Sequence, residues 1–268
     1  MLAEEAKSCF SPWSTCWLHS SLEFEKSLYE NGKHVVRALE KSEIVEIVSA
    51  YSAAAQDAES IGCDAVELHG AHGFLIDQFL WHHTNQRIDE YGGGLENRLK
   101  FAVEVVSAIR QTVSKEFPII FRLSQWKVFD YSAHIARNSE ELAIILKALV
   151  EAGVDIFHVS THRFWEPAFK DGPETLAALV RRLSGKPVIA VGSVGLARPF
   201  SKDQSGQFIE AGVESDLNRL MDSLDKEEFD LCAIGRALIA DPEWVDKVRQ
   251  GSYEKLKPFS AELLKELH

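Results

Sequence analysis

The sequence has few cysteines, and no two of them stand at metal-binding spacing. Its four thiols, Cys9, Cys16, Cys63 and Cys232, are scattered over 268 residues without a CxxC motif. This pattern argues against a disulfide framework and against a structural zinc site. Cys9, Cys16 and His19 could be combined into a metal site, but coincidence explains their spacing better. We therefore expect reduced thiols and no bound metal.

Long apolar runs and an excess of basic residues are also missing. No run approaches the ~20 apolar residues of a membrane span, and residues 1–10 carry Glu4, Glu5 and Lys7 in place of a signal-peptide core. The formal net charge is -12, which disfavours nucleic acid and anionic membranes as partners because both attract clusters of Lys and Arg. We expect a cytoplasmic protein that binds neither.

Strand and helix patterns alternate along most of the chain. With 46% hydrophobic residues the sequence can build a large core, and we predict that this domain covers residues 42–268. Residues 1–41 show neither period and are predicted to form an irregular extension. Helix starts are expected at Ser42, Ser139 and Asp241, from N-cap and proline signals. The five predicted strands lie near residues 64–69, 118–123, 155–160, 187–192 and 229–234.

This alternation predicts a parallel sheet covered by helices. No GxGxxG motif follows any of the strands, which weighs against a dinucleotide-binding open sheet. Several strands end in polar residues at the same point, as at the mouth of a TIM barrel. Only five of the eight strands of a complete barrel are recognisable, so we predict a TIM (β/α)8-type barrel that lacks its first strands. An open barrel exposes strand edges, and we expect homo-oligomers unless residues 1–41 cover the gap.

Two histidines three residues apart close the first predicted strand, and Arg122 lies on the second. If Glu67, His69 and Arg122 all face inward, a carboxylate, an imidazole and a guanidinium converge at one end of the barrel. Arg122 then either forms a structural ion pair with Glu67 or faces an electron-rich ligand, which its planar donors would suit. His69 and His72 fit N–H donors to a substrate oxygen better than metal ligands, because no third ligand of plausible spacing is evident.

Small residues end the last two predicted strands. Gly192 with Ser193, and Gly235 with Arg236, leave backbone N–H groups exposed and add one positive charge, which is how barrels hold a phosphate. A lyase or aldolase could use the same phosphate site. That alternative is disfavoured because no lysine is expected at a strand end, the nearest being Lys127.

Five segments together resemble the Old Yellow Enzyme family of NAD(P)H:flavin oxidoreductases, and the resemblance runs from about Gly32 to Gly251. It implies a TIM barrel that carries FMN and takes hydride from NADH or NADPH. It also implies small-molecule substrates, namely enones and nitroalkenes with activated carbon–carbon double bonds, or quinones. The segments are residues 69–80 (HGAHGFLIDQFL), 84–93 (TNQRIDEYGG), 96–98 (ENR), 121–124 (FRLS) and 235–242 (GRALIADP).

The resemblance also implies roles for single residues. His69 and His72 match the pair that holds the substrate's carbonyl or nitro oxygen over the flavin, and Arg122 matches the arginine near the N1/O2 edge of the flavin. Phe74 stands where the family usually carries a tyrosine that protonates the substrate. Trp126, on a predicted loop nearby, is expected to pack and not to contact a ligand.

The phosphate site follows from the same resemblance. Gly192, Ser193, Gly235 and Arg236 match the phosphate-binding ends of the last strands. Family members begin with further residues that form the first barrel strands, and no counterpart is found before Ser42, so we expect an N-terminally shortened member. The alternative to an active FMN-dependent ene-reductase is a catalytically silent remnant, acting at most as a flavin- or protein-binding module.

Overall fold

The computed structural model describes residues 29–30, 33–34, 37–128, 130–170, 172–196 and 214–265. It contains two compact units, Met1–Phe157 and His158–His268. Most of the predicted extension lies outside the described residues. The part that is described includes an antiparallel hairpin of two short strands, β1 (Tyr29–Glu30) and β2 (Lys33–His34).

The first unit is built from strand–helix repeats, as predicted. β3 and β4 run parallel, in register from Val66 opposite Ile119 to His69 opposite Arg122. Leu68, Ile119, Phe121 and Leu123 are each at most 4% exposed and form the buried face of this pair. The elements are α1 (Lys41–Ser60), β3 (Val66–His72), α2 (Leu75–Leu80), α3 (Leu95–Thr112), β4 (Ile119–Lys127), α4 (Ser139–Ala152) and the start of β5 (Ile156–Ser160).

The second unit continues the alternation. β6 pairs parallel with β7, with Ile189 opposite Leu231. The elements after the end of β5 are α5 (Leu176–Ser184), β6 (Val188–Val191), α6 (Glu214–Asp225), β7 (Leu231–Cys232), α7 (Arg236–Ala240) and α8 (Trp244–Arg249), followed by two 3₁₀ helices, Tyr253–Lys255 and Ala261–Lys265.

The residues that cap the three predicted helix starts differ from the prediction by one or two positions. α1 is capped by Glu40, whose N–H donates to the Glu43 carboxylate over 2.7 Å, so Ser42 lies inside the first turn. α4 is capped by Asn138, whose side chain accepts a first-turn N–H, and not by Ser139. Asn138 thereby satisfies one free N–H at the start of α4, whereas in α1 the Glu43 carboxylate accepts the N–H of the cap residue.

The last predicted helix also starts later than expected, at Trp244 and not at Asp241. The Asp241 carboxylate accepts hydrogen bonds from Lys247 Nζ, at 2.8 Å, and from the Lys257 N–H, at 3.1 Å. Asp241 therefore ties the helix to the segment that follows it, in addition to accepting the Glu243 N–H at the helix start.

The parallel α/β class and the five predicted strands are confirmed. The strands form one five-stranded sheet in chain order, β3-β4-β5-β6-β7. Within the described residues this is three strands fewer than a complete barrel contains, which agrees with the predicted incomplete fold. Of the helices in the described part of the chain, none combines the length and the apolarity that a membrane crossing requires.

Candidate functional site

The side chains of His69 and His72 meet at the end of β3. Their ring centroids lie 5.1 Å apart, with the ring planes at 75°. In a regular strand, side chains three residues apart point to opposite faces. Two distortions bring these together: the pairing register shifts between Gly70 and His72, and His72 has a left-handed backbone with φ 63°.

Hydrogen bonds hold His72 in this unfavourable conformation. A left-handed backbone costs a residue with a side chain about 1–2 kcal/mol. The His72 N–H donates to Ser124 Oγ over 3.0 Å, and this hydroxyl donates to the Trp126 carbonyl over 2.7 Å. Ser124 is fully buried. The sequence could not indicate this role for Ser124, because it depends on the bent end of the neighbouring strand.

Aromatic rings flank both imidazoles. The Phe74 ring centroid lies 4.5 Å from that of His69, and the Trp126 centroid lies 4.3 Å from that of His72, with planes at 31°. Trp126 belongs to β4, so its predicted place on a loop is wrong, because β4 continues to Lys127. The two imidazoles thus lie against each other and against two aromatic rings.

Arg122 lies opposite His69 in the β3–β4 register. Its guanidinium contacts Glu67 only at 4.0 Å, so the predicted structural ion pair exists but is long. Its Nε is buried and has no hydrogen-bond partner within the described part of the chain. Burial lowers the pKa of Arg122, and Glu67 partly opposes that shift. A buried donor without an acceptor is costly, which supports the alternative that Arg122 faces an electron-rich ligand.

A buried ion pair that sequence reasoning missed lies next to the histidine turn. Lys127 Nζ and Asp77 Oδ2 are 2.8 Å apart, and both side chains are fully buried. Burial raises the pKa of Asp77 while Lys127 opposes the shift, and burial lowers the pKa of Lys127 while Asp77 opposes it. The sequence signal for this pair is that Asp77 and Lys127 each interrupt a run of apolar residues. The expectation that no lysine lies at a strand end is wrong, because Lys127 is the last residue of β4.

In the second unit, the residues after β6 form a tight turn. Ser193 has a left-handed backbone with φ 55°, and its hydroxyl donates to the His162 carbonyl over 2.6 Å. A Cβ on Gly192 would lie 2.5 Å from Thr161 Oγ1, so no larger residue fits there. Ser193 Oγ is therefore committed to the protein, and any anion at this turn would be held by backbone N–H groups.

The Val194 and Gly195 N–H groups after this turn find no acceptor among the described residues. The turn lies against the start of α7, because a Cβ on Gly195 would be 3.5 Å from that of Ala237. Gly235 has open space on its side-chain side. Arg236, the first residue of α7, is half-buried, and burial lowers its pKa.

The structure thus brings the predicted site residues together in two groups, one in each unit. The first contains His69, His72, Phe74 and Arg122. The second contains the turn at Gly192 and Ser193 and the neighbouring start of α7. No group of three or more His, Cys, Asp or Glu side chains suited to a metal occurs in the described ranges, and the Cys9, Cys16 and His19 alternative lies outside them.

Comparison with known proteins gives a consistent family assignment. The sequence profile of the NADH:flavin oxidoreductase / NADH oxidase family matches residues 18–255. The NADH oxidase of Thermoanaerobacter brockii is 34% identical over 229 residues, which cover 82% of this chain and 32% of that protein.

Solved structures agree in fold. Morphinone reductase in complex with tetrahydroNAD superposes with a TM-score of 0.63 at 28% identity, covering 81% of this chain and 52% of that one. The old yellow enzyme homologue from Zymomonas mobilis superposes with a TM-score of 0.66 at 23% identity, covering 88% and 60%. The chain therefore spans between about a third and three fifths of the length of these relatives.

Proposed function

This chain belongs to the NADH:flavin oxidoreductase / NADH oxidase family, and on that basis we propose that it is an FMN-dependent NAD(P)H oxidoreductase of the ene-reductase type. Its proposed substrates are small molecules with an activated double bond, namely enones and nitroalkenes, or quinones. The observation that carries the proposal is the His69–His72 pair, whose rings meet at 5.1 Å beside Arg122, which stands opposite His69.

Each unit, taken by itself, offers residues that fit one part of a flavin mononucleotide. We propose that Arg122, whose buried Nε has no partner in the described ranges, holds the electron-rich edge of the ring. The Val194 and Gly195 N–H groups, together with Arg236, are proposed to hold the phosphate, since unpaired backbone donors and a cation suit a dianion. Gly192, Ser193 and Gly235 would shape that site. When bound, FMN supplies the transfer of a hydride equivalent from NAD(P)H to the substrate.

The two histidines act on the substrate oxygen in this proposal. Imidazole N–H groups from His69 and His72 would donate hydrogen bonds to a carbonyl, nitro or quinone oxygen. Donors held in advance by the protein stabilise the negative charge that develops on such an oxygen as the adjacent carbon is reduced. Ser124, by fixing the His72 backbone, keeps the second donor in place.

The proton for carbon must come from elsewhere. Phe74 packs against His69 at 4.5 Å, and a phenyl ring has no proton to give. We therefore propose that water protonates the substrate carbon, so that alkenes are reduced slowly. Quinones and nitro groups are protonated on oxygen, and their reduction should depend less on residue 74.

Phe74 also favours a second candidate function. Without the usual acid, the protein would serve as a flavin- or protein-binding module without alkene reduction. As a flavin-binding module it shares the FMN site with the first candidate and differs only in turnover, and as a protein-binding module it needs no flavin.

The chain is also proposed to form homo-oligomers. Among the described residues β7 ends the strand order of the sheet, and its Leu231 is 58% exposed, so an apolar side chain lies on a strand that has no described neighbour on one side. Sedimentation of the purified chain should show a dimer or larger species. A sharply melting monomer would contradict this.

The functional proposal is tested by loading the purified chain with FMN and titrating it with 2-cyclohexenone, following the flavin spectrum. The wild type should bind FMN and the enone, while His69→Ala should bind FMN equally well and the enone roughly tenfold more weakly, since it loses one hydrogen-bond donor. His134→Ala, at an exposed histidine, is the matched control and should leave both affinities unchanged. Absence of FMN binding by the wild type would refute the enzyme and the flavin-binding module alike.

A further inference from the structure

The ion pair between Asp77 and Lys127 is completely buried next to the histidine turn. Both side chains have zero exposure, and their charged atoms are 2.8 Å apart. Taking two charges out of water costs more than their attraction usually returns, and apolar residues of similar volume often stabilise a protein as well or better. A pair that is kept under these conditions calls for a second role.

The hydrogen bonds of the pair lead to the turn that follows His72. Asp77 Oδ2 accepts the Gly73 N–H over 2.6 Å. Lys127 Nζ donates to Asp77 Oδ1 over 2.9 Å and to the Gln125 carbonyl over 3.0 Å. The carboxylate is thereby aimed at one backbone N–H, and the ammonium fixes the carboxylate to β4.

Gly73 is the residue directly after His72, so this bond fixes the peptide group between them. His72 itself needs such a restraint, because its φ of 63° is unfavourable for a residue with a side chain. Ser124 holds the N–H on one side of His72, and Asp77 holds the N–H on the other side. If either of these two hydrogen bonds is lost, the backbone at His72 can relax to an extended strand, which would turn the imidazole away from His69.

We propose that Asp77 and Lys127 are positioning residues that hold His72 in its left-handed conformation and thereby keep its imidazole against that of His69. As a statement about the reaction, this rests on the proposed function. As a statement about the two rings, it rests only on the hydrogen bonds around Gly73.

Three double variants separate positioning from general stabilisation. Asp77→Leu with Lys127→Met removes both charges and also the acceptor for Gly73. Asp77→Asn with Lys127→Met removes the charges but keeps a side-chain oxygen for that N–H. Asp155→Leu with Arg110→Met is the matched control, since Asp155 pairs with Arg110 at 3.1 Å and accepts the Ile119 N–H at the other end of β4.

The readout is NMR of the full chain labelled in its histidines, without flavin. In the wild type and the Asp77→Asn double variant, the His69 and His72 rings should show a mutual nuclear Overhauser effect. In the Asp77→Leu double variant this effect should vanish. The Asp155→Leu double variant should melt at lower temperature and keep the effect.

Persistence of the nuclear Overhauser effect between the two rings in the Asp77→Leu double variant would overturn the proposal and leave the pair a structural element only. If that variant does not fold, amide exchange of Gly73 in the wild type decides. Strong protection of this amide is expected, and free exchange would overturn the proposal.

With FMN bound, the Asp77→Leu double variant should raise the KM for 2-cyclohexenone on the order of 10–100-fold, as expected for a displaced donor. A wild type without enone turnover would refute the proposed function and leave the NMR result standing.

Discussion

The imidazole rings of His69 and His72 lie 5.1 Å apart, although a regular strand would direct these side chains to opposite faces. Their convergence depends on the register shift after Gly70 and on the left-handed backbone of His72. The chemistry that we propose therefore depends on a local distortion of β3 and on the residues that maintain it.

Gly70 is required where β3 crosses the Phe121 ring. A Cβ at this position would lie 2.4 Å from the ring and 3.1 Å from the Arg122 carbonyl. Because Phe121 is fully buried, it has little room to move, and Gly70→Ala should destabilise the protein by about 1–3 kcal/mol. Gly172→Ala is the control, since a Cβ there has no neighbour within 4 Å and the residue lies outside the helices and strands. Urea denaturation should show equal stability for the control and the wild type, and a loss for Gly70→Ala alone.

Phe74→Tyr should restore a proton donor next to His69. General acid catalysis contributes ~10²–10⁴-fold, so turnover of an enone by the FMN-loaded protein should rise by up to that factor. Turnover of a quinone, which needs no proton on carbon, should stay nearly the same. Stopped-flow oxidation of the reduced protein by each acceptor measures both. An equal rate of enone reduction before and after the substitution would mean that another residue is the acid.

Arg122 and Arg236 should affect different properties of the flavoprotein. Arg122→Met is expected to slow reduction of the flavin by NAD(P)H and to lower its reduction potential, because the positive charge near the ring favours the reduced anion. Arg236→Met is expected chiefly to weaken binding of the phosphate. Comparing the affinities of each variant for FMN and for riboflavin separates the two roles. If both substitutions only weakened FMN binding, Arg122 would be a structural partner of Glu67.

Cys232 should react slowly with thiol reagents in the folded protein. Burial raises the pKa of its thiol to about 12, so at pH 8 it is un-ionised, and the thiolate is the reactive form. Cys63 is exposed and should react fast. In a Cys9→Ser, Cys16→Ser background, one thiol should react quickly with Ellman's reagent and the second only on unfolding.

The same shift in Cys232 has a consequence for stability. The pKa of the thiol in the folded protein lies above its ordinary value of 9.0, so the buried neutral thiol contributes stability that is complete below about pH 9 and is lost as the pH rises towards 12. Cys232→Ser should remove this part of the alkaline destabilisation. An unchanged difference between the two proteins from pH 7 to 10.5 would contradict the shift.

The sequence predicts those helices and strands whose apolar residues recur with a clear helical or strand period. β3 and β4 begin within two residues of their predicted starts, and five strands were found where apolar residues repeat between helices. Helix α2, Leu75–Leu80, was not predicted, because six residues are too few to show a helical period. The end of β4 was placed too early because Gln125 and Lys127 look like loop residues, whereas their polar groups bond within the core.

The sequence predicts the residue types of the candidate site and not their geometry. Two histidines and an arginine at strand ends indicate a binding site for a polarised oxygen and an electron-rich ring. The backbone reversal at His72, the Ser124 bond and the Asp77–Lys127 pair arise from contacts between β3, α2 and β4. No local pattern encodes such contacts, since each joins residues that are far apart in the chain or depend on a strand irregularity.

The central claim is most directly tested by the two half-reactions of the FMN-loaded full chain. Under anaerobic conditions, NADH or NADPH should bleach the absorbance of the bound flavin, and a quinone or 2-cyclohexenone should then restore it, the quinone faster. Bleaching without restoration by any acceptor would leave only the flavin-binding candidate. Failure of the purified chain to bind FMN, or of both nicotinamides to bleach it, would contradict the account.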